Sequence, residues 1–376
     1  MRAVVASLLY GFPAKKLKLI GVTGTDGKTT TSWMIYYILK KCKKEVGLIT
    51  TTSIDVGRGI ENNFAHSTTP DVFLLQKLLN NAVNNGLEYM VLEVSSHGLE
   101  QHRLWGCVFE VGVITNLTRE HLDYHKSMKR YLRAKSKLFD QSNWAIFNKD
   151  DKSFAYLSKR FKKFTSYSLQ KKADLNLKNL KNGLKFEEKY NQYNALGAIS
   201  VCKRLGVPTG ESVKILESFS FPPGRQEIIQ KKPFLVMVDF AHTPNGLKQL
   251  MAGIKKSGGR LIHVFGCPGQ RDKGKRVLMG QISSEYSEVM ILTAEDPRDE
   301  KVESINLEIR AGVKSGYKGR ILSIFDRTRA IQKAINMAEK GDIVLFTGKG
   351  AEKTQELGGR VIPWDEVEVV KKALKK

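Results

Sequence analysis

The segment GVTGTDGKTTT, from Gly21 to Thr31, has the residue types of a phosphate-binding loop. It follows the apolar run LKLIGVT, a predicted strand, and leads into a predicted helix over 29–41. In that setting glycines let backbone N–H groups approach phosphate oxygens, and the start of the helix adds positive potential. Lys28 would bind the β- and γ-phosphates, and the Thr29 hydroxyl a Mg²⁺ ion. Val22 replaces the first glycine of the usual spacing, so the alternative is a glycine turn without a ligand.

Polar residues also follow two later strands of the first half. Glu93 ends the apolar run YMVLEV, and a carboxylate at the end of a parallel strand beside a phosphate loop suits Mg²⁺. The alternative is a surface glutamate. After the run VGVITN, the segment TNLTREHLDYH brings Asn116, His121, Asp123 and His125 together. A single histidine is usually structural, but several polar residues at one strand end favour a site.

The second half carries four more strand ends rich in polar residues. Asp239, His242 and Asn245 follow FLVMVDF, and Arg271 lies in GCPGQRDKGKR after RLIHVFG. The segments TAEDPRDE and TGKGAEKTQE follow two further strands. This arrangement predicts a second binding surface. Lys135, on a helix predicted over 126–139, carries no such signal, and its pattern alone predicts a solvated lysine.

Strand-length apolar runs alternate with amphipathic segments along almost the whole chain, which predicts an α/β fold. We expect a P-loop-type central domain with a mostly parallel sheet, followed by a second, Rossmann-like α/β domain. The predicted domain ranges are 15–222 for the ATP-binding domain and 223–376 for the C-terminal one. Residues 1–14 are predicted to be a linker or, from the family resemblance described below, the remnant of an N-terminal domain. The polar stretch 165–188 is predicted to form a β-hairpin that leaves the first sheet.

The net charge, the cysteine spacing and the lengths of the apolar runs limit the classes of protein to which this chain can belong. The chain has 376 residues and a net charge of +24, which favours an anionic substrate or a nucleic acid. The lysines are scattered and no nucleic-acid-binding motif stands out, so a nucleic-acid-dependent NTPase remains only an alternative. The four cysteines form no close pair, which argues against zinc and disulfides. No apolar run is long enough to span a membrane. We predict a cytoplasmic monomer with small-molecule substrates and no nucleic-acid or membrane partner.

Taken together, these motifs resemble those of the Mur ligases, and most closely the UDP-N-acetylmuramoyl-tripeptide synthetases. The motifs occur in the family's order: GVTGTDGKTTT, STTPD, EVSSHGLEQHR, TNLTREHLDYH, AKSKLF, YNQYNALGA, PGRQE, DFAHTP, QRDKGKR, EDPR and GKGAE. The resemblance implies an ATP-dependent ligase that adds a diamino acid, with meso-diaminopimelate favoured, to a UDP-MurNAc-L-Ala-D-Glu-type precursor through an acyl phosphate. A folylpolyglutamate- or cyanophycin-type ligase is the alternative.

The resemblance also implies roles for individual residues. Residues similar to the ATP contacts are Gly24, Thr25, Asp26, Gly27, Lys28, Thr29, Thr30, Asn194, Arg225, Asp239 and His242. Residues similar to the Mg²⁺ ligands are Thr29, Glu93, His121 and Lys135, the last as a carbamate formed with CO₂. Residues similar to the substrate contacts are Thr68, Thr69, Ser95, Gln101, Arg103, Arg271, Asp296, Arg298, Gly348 and Glu352. By the same resemblance, the catalytic residues are Lys28, Lys135 and His121.

The sequence departs from the family pattern at the amino-acid pocket. The family sequence Asp-Asn-Pro-Arg reads Glu295-Asp296-Pro297-Arg298 here, and Ala351 replaces the histidine of Gly-Lys-Gly-His-Glu. Arg298 can pair with the distal carboxylate of diaminopimelate. Asp296 adds a charge where an amide is usual, which favours a more cationic amino acid such as lysine. We weigh the retained arginine more heavily.

Overall fold

The computed structural model describes residues 2–63, 67–180 and 183–375. The chain divides into two compact units. The first contains Met1–Thr118 and Ser127–Ser220, and the second contains Arg119–Lys126 and Phe221–Lys376. The predicted domain ranges, which treat 15–222 as one block, stay predictions.

The first unit is built on a nine-stranded sheet with the order β4-β3-β2-β5-β1-β6-β7-β8-β9. Its strands are β1 (Lys18–Thr23), β2 (Val46–Ile49), β3 (Ser53–Asp55), β4 (Glu61–Asn62), β5 (Tyr89–Glu93), β6 (Phe109–Ile114), β7 (Ser142–Asn148), β8 (Phe164–Ser168) and β9 (Leu175–Asn176). All neighbours pair in parallel except β2–β3 and β3–β4. The carboxyl ends of β1, β5 and β6 therefore meet at one edge.

Helices cover this sheet. They are α1 (Arg2–Leu9), α2 (Lys28–Lys41), α3 (Val72–Asn84), α4 (Ser96–Glu100), α6 (Met128–Asp140), α7 (Phe154–Arg160), α8 (Lys189–Arg204) and α9 (Thr209–Glu217), and α5 (Leu122–His125) belongs to the second unit. The middle of β1 is close to α6, since a Cβ on Gly21 would lie 2.6 Å from Leu138 Cδ1. Any side chain at Gly21 would therefore require Leu138 and Phe109 to shift.

The second unit is built on a six-stranded sheet with the order β10-β11-β15-β12-β13-β14. Its strands are β10 (Glu227–Gln230), β11 (Leu235–Asp239), β12 (Leu261–Phe265), β13 (Val289–Leu292), β14 (Arg320–Ser323) and β15 (Ile343–Thr347), with a separate hairpin of β16 (Thr354–Leu357) and β17 (Arg360–Pro363). Only β10 pairs antiparallel within the six. The helices are α10 (Pro244–Ile254), α11 (Gly274–Tyr286), α12 (Val302–Arg310), α13 (Arg327–Asn336) and α14 (Glu366–Leu374).

Both faces of the second sheet are apolar, because helices cover each of them. Leu261 and Leu345 belong to one buried cluster, and Ile262 and Val344 to another on the opposite face. Strands buried on both faces read as continuous apolar runs, which is the pattern found in the sequence. The predicted α/β class with two mostly parallel sheets is confirmed.

Two local predictions need correction. The stretch 165–188 does not form a hairpin, because β8 and β9 pair in parallel and extend the sheet. Residues 181 and 182 of that stretch lie outside the described residues. The helix predicted over 126–139 begins at Met128, since Lys126 has a left-handed φ of 63° that ends α5.

Candidate active site

The phosphate loop between β1 and α2 requires its two glycines. Gly24 has a φ of 144° and Gly27 a φ of 80°, which L side chains rarely adopt. A Cβ on Gly24 would lie 1.9 Å from Thr115 Oγ1, and one on Gly27 2.2 Å from Asn194 Oδ1. Asn194, predicted to contact ATP, therefore lies directly against the loop.

The end of β6 holds the loop in place. Asn116 Oδ1 accepts the Asp26 N–H at 3.0 Å, and Asn116 Nδ2 donates to the Asp26 carbonyl at 3.1 Å. Thr115 Oγ1 donates to the same carbonyl at 2.6 Å, and the Thr25 N–H donates to the Asn116 carbonyl at 2.9 Å. The sequence indicated Asn116 only as part of a polar cluster, and the structure shows that it fixes the backbone of the loop.

Two lysine ammonium groups lie on carbonyl oxygens of the loop. Lys28 Nζ donates to the Thr25 carbonyl at 2.8 Å, and Lys135 Nζ donates to the Gly24 carbonyl at 2.6 Å. Lys135 is 1% exposed, and its Nζ lies 4.6 Å from the centre of the Tyr131 ring. The pattern around Lys135 alone was therefore misleading, because this lysine is buried at the phosphate loop.

The buried carboxylate of Glu93 faces the start of α2. Glu93 Oε2 accepts the Thr29 hydroxyl at 2.9 Å and the Thr51 N–H at 3.0 Å. A hydroxyl and a carboxylate in contact offer the hard oxygen atoms that Mg²⁺ prefers, and this ion usually takes its remaining ligands from water and phosphate. Within 2–63, 67–180 and 183–375, no group of three or more His, Cys, Asp or Glu could hold a metal by itself. The Thr29–Glu93 pair thus fits Mg²⁺ shared with a nucleotide.

The residues predicted to contact the muramyl peptide form a connected group beside Glu93. Thr69 Oγ1 donates to the Glu93 carbonyl at 3.3 Å and accepts the Ser95 N–H at 2.9 Å. Arg103 Nη1 donates to the Thr69 carbonyl at 2.7 Å, and Arg103 Nη2 to Gln101 Oε1 at 2.7 Å. Thr68 accepts the Thr51 hydroxyl at 3.0 Å.

Three predicted ATP contacts gather around the end of β11 in the second unit. The Arg225 guanidinium lies 4.3 Å from the centre of the Phe240 ring, and His242 Nδ1 lies 3.0 Å from the Phe240 carbonyl oxygen. Asp239 accepts the N–H groups of Gln226 and Ala241, each at 2.7 Å. Burial raises the pKa of Asp239, against the lowering effect of Arg225 and these two bonds.

His121 lies in the segment Arg119–Lys126, which the structure groups with the second unit. Its backbone is left-handed, with a φ of 55°, and its Nδ1 lies 4.0 Å from Glu120 Oε1. Glu120 pairs with the buried Lys275 at 3.1 Å. The other predicted metal ligands belong to the first unit, so a shared metal site with His121 stays a prediction.

Lys349 organises the predicted amino-acid pocket, and sequence reasoning missed it. This fully buried lysine pairs with Asp296 Oδ1 at 2.8 Å and with Glu352 Oε2 at 2.6 Å. The additional charge of Asp296 is therefore matched by an ammonium group of the protein itself. One signal was available: Lys349 lies between two glycines directly after the buried strand β15.

Arg298 and Glu295 flank this pair. Arg298, with a left-handed φ of 52°, donates from Nε to Glu356 Oε2 at 3.0 Å and from Nη1 to the Gly269 carbonyl. Burial raises the pKa of Glu295 to about 7; Asp296 and Glu352 add to this shift, while Lys275 and Lys349 oppose it.

The two remaining predicted substrate residues lie on loops of the same unit. Gly348 has a φ of 103°, and a Cβ there would lie 3.2 Å from the Glu295 carboxyl carbon. Arg271 is exposed on the loop that follows β12. Thus Gly348 borders the Glu295 carboxyl directly, whereas the Arg271 side chain is exposed to solvent.

The match to family models agrees with this arrangement. The Mur ligase middle domain matches residues 22–202, and the Mur ligase glutamate ligase domain matches residues 224–350. The chain belongs to the Mur ligase family, ATP-dependent ligases that form peptide bonds in peptidoglycan synthesis.

Similar proteins point to one group within this family. The chain is 40% identical to UDP-N-acetylmuramoyl-L-alanyl-D-glutamate–2,6-diaminopimelate ligase 1 of Clostridium acetobutylicum, over 99% of this chain and 81% of that protein. It is 39% identical to the corresponding ligase of Parabacteroides distasonis, over 95% of this chain and 77% of that protein. A solved structure of such a ligase is 33% identical and has a TM-score of 0.61, over 96% of this chain and 78% of that one.

More distant structures share the fold alone. Folylpolyglutamate synthase of Mycobacterium tuberculosis is 16% identical with a TM-score of 0.71, over 92% of each chain. Throughout the described residues, every helix is too short or too polar to cross a membrane.

Proposed function

We propose that this protein joins the α-amine of meso-diaminopimelate to the terminal carboxylate of UDP-MurNAc-L-Ala-D-Glu. The similar proteins named for this activity cover nearly the whole chain. The observation that carries the proposal is that Arg298 pairs with Glu356 next to the acidic residue Asp296, because diaminopimelate ends in both a carboxylate and an ammonium group. Lysine ends in an ammonium group alone.

In the proposed reaction the substrate carboxylate attacks the γ-phosphorus of ATP, which forms an acyl phosphate and releases ADP. The amine then attacks the acyl carbon, and phosphate leaves as the amide forms. Lys28 would hold the β- and γ-phosphates and offset their charge in the transition state. Thr29 and Glu93 would hold Mg²⁺, which would offset phosphate charge. His121 is proposed as a further ligand because it matches a family ligand.

Lys135 is proposed to act as a carbamate. Its amine would attack CO₂ to form an N–C bond and release a proton, leaving one N–H on the nitrogen. That N–H can still donate to the Gly24 carbonyl, where Nζ donates now. The two new carbamate oxygens would add hard ligands beside the phosphate loop. We further propose that the enzyme acts in the cytoplasm as a monomer.

Product masses provide the test. The protein is incubated with ATP and UDP-MurNAc-L-Ala-D-Glu, and meso-diaminopimelate, lysine and ornithine are supplied separately. We expect the mass of the diaminopimelate adduct in wild type. Arg298→Ala should lower diaminopimelate turnover about 100-fold, since a charge pair with the distal carboxylate is lost. A wild type that prefers lysine, or an Arg298→Ala variant that keeps its turnover, would contradict the assignment.

A further inference from the structure

Glu356, on β16, has no role in the activity described so far, yet it contacts two residues of the EDPR segment, Asp296 and Arg298. Its carboxylate accepts Arg298 Nε at 3.0 Å. Its backbone N–H donates to Asp296 Oδ1 at 2.9 Å, and its carbonyl accepts the Arg298 N–H at 3.2 Å. The Gly358 N–H donates to the Arg298 carbonyl at 2.7 Å. The hairpin therefore fixes Glu356 between Asp296 and Arg298.

The Arg298 guanidinium remains able to receive a ligand in this arrangement. An arginine offers five N–H donors, and the contacts with Glu356 and Gly269 engage Nε and Nη1. Nη2 has no partner within the described parts of the chain. The Arg298 side chain is 18% exposed and the Glu356 side chain 35% exposed, so a small molecule can reach both.

A ligand carboxylate bound at Arg298 would lie close to the Glu356 carboxylate, and two like charges at that distance repel. The backbone of Glu356 is held on both sides, so its carboxylate stays near the guanidinium when a ligand arrives. An ammonium group on the same carbon as the ligand carboxylate removes the repulsion if it faces Glu356. The distal carbon of diaminopimelate has this pair of groups.

We propose that Glu356 is a specificity-determining residue that accepts the distal ammonium group of the incoming amino acid while Arg298 binds the distal carboxylate. This inference rests on the proposed function. Asp296 and Glu352 already pair with Lys349. The Glu356 side chain is also the most exposed of the three, at 35% against 20% for Asp296 and 29% for Glu352.

The test compares two amino acids that differ only in the distal amine. These are meso-diaminopimelate and L-2-aminopimelate, which keeps the distal carboxylate and lacks the amine. In wild type we expect a lower KM for diaminopimelate. Glu356→Gln should raise that KM about tenfold and leave the KM for 2-aminopimelate unchanged or lower. Glu368→Gln, an exposed glutamate on α14, is the matched control and should change neither value.

Several other results would overturn the inference, and they can be distinguished from one another. If Glu356→Gln lowers the KM for both amino acids equally, Glu356 only occupies Arg298 in the free enzyme, and the inference is wrong. If both KM values rise by the same factor, Glu356 is only structural, which also overturns it. A wild type that makes no diaminopimelate product from the muramyl substrate refutes the proposed function and the inference together. A wild type that makes it, with an unchanged ratio in Glu356→Gln, refutes the inference alone.

Discussion

The phosphate loop of the first unit and the EDPR and GKG segments of the second are held by different forces. Hydrogen bonds to its backbone fix the phosphate loop. Asn116 and Thr115 contribute neutral groups, and Lys28 and Lys135 donate from their ammonium groups to loop carbonyls. Ion pairs fix the second region: Lys349 pairs with two carboxylates, and Arg298 pairs with a third. A neutral hydrogen bond contributes about 0.5–1.5 kcal/mol, whereas breaking a buried ion pair costs about 3–5 kcal/mol.

This difference follows from what each region is proposed to bind. ATP and Mg²⁺ bring large charges of their own, so a loop of oriented amides with few ionised groups can receive them without first breaking ion pairs. An amino acid is recognised by its pattern of charges, so the second region needs charged groups in fixed positions. Each of these groups needs a partner when no ligand is present.

The largest effect is expected at the phosphate loop, where Lys135 is buried. Lys135→Ala should lower ligase activity by at least about 10³-fold, because a proposed Mg²⁺ ligand is lost. Millimolar formate or acetate is expected to restore part of it, measured as ADP-coupled product formation. Lys129→Ala, an exposed lysine on the same helix, is the control and should keep wild-type activity. Full activity of Lys135→Ala without any added carboxylate would rule out the role.

The stability of the two units should respond differently to the loss of one polar group. Arg327 and Glu366 form a buried pair at 2.5 Å in the second unit. Arg327→Met should lower the free energy of unfolding by about 3–5 kcal/mol, because it leaves the Glu366 carboxylate buried without its cation. In the first unit, Tyr167→Phe removes a hydroxyl bond to the Ile114 carbonyl and should cost only about 1 kcal/mol.

Guanidinium titrations followed by circular dichroism measure both values. Lys371→Met, which breaks an exposed pair with Glu368, is the control, with an expected change below about 0.5 kcal/mol. The double variant Arg327→Met/Glu366→Leu should recover much of the loss, since neither charge remains buried. If Arg327→Met and Tyr167→Phe lower the free energy of unfolding by the same amount, the proposed contrast between ion pairs in the second unit and neutral hydrogen bonds in the first is wrong.

The smallest effect concerns the pH dependence of the second region. The folded pKa of Glu295, about 7, lies above its ordinary value of 4.5, so folding favours the protonated carboxyl. The stabilisation is fully present below pH 4.5 and is lost as the pH rises to about 7. Glu295→Gln keeps a neutral side chain, so its melting temperature relative to wild type should be higher at pH 8 than at pH 5. If the difference in melting temperature between Glu295→Gln and wild type is the same at pH 5 and pH 8, the raised pKa of Glu295 is contradicted.

The sequence determined the α/β class and the family, and it predicted the segments that carry the candidate site. The phosphate loop is readable because its function depends on local backbone geometry, which glycines and a strand–helix context specify over a few residues. The strands were found for a similar reason, since burial on both faces makes them apolar throughout. The parallel pairing of β8 with β9 was missed because strand direction depends on partners outside the segment.

Only the tertiary structure decided which charges meet. Lys135 looked solvated until the fold buried it against Gly24, 111 residues away along the chain. In the sequence Asp296 is an additional charge, whereas in the fold it pairs with Lys349. Glu356 belongs to no motif of the sequence, and the β16–β17 hairpin places its carboxylate against Arg298. The sequence around a charged residue does not reveal its ion-pair partner. Ion pairs form through space between residues that can be far apart in the chain, so they leave no periodic pattern in the sequence. The backbone geometry of the predicted phosphate loop is thus local information, while the electrostatics of the predicted amino-acid pocket arise from the folded chain.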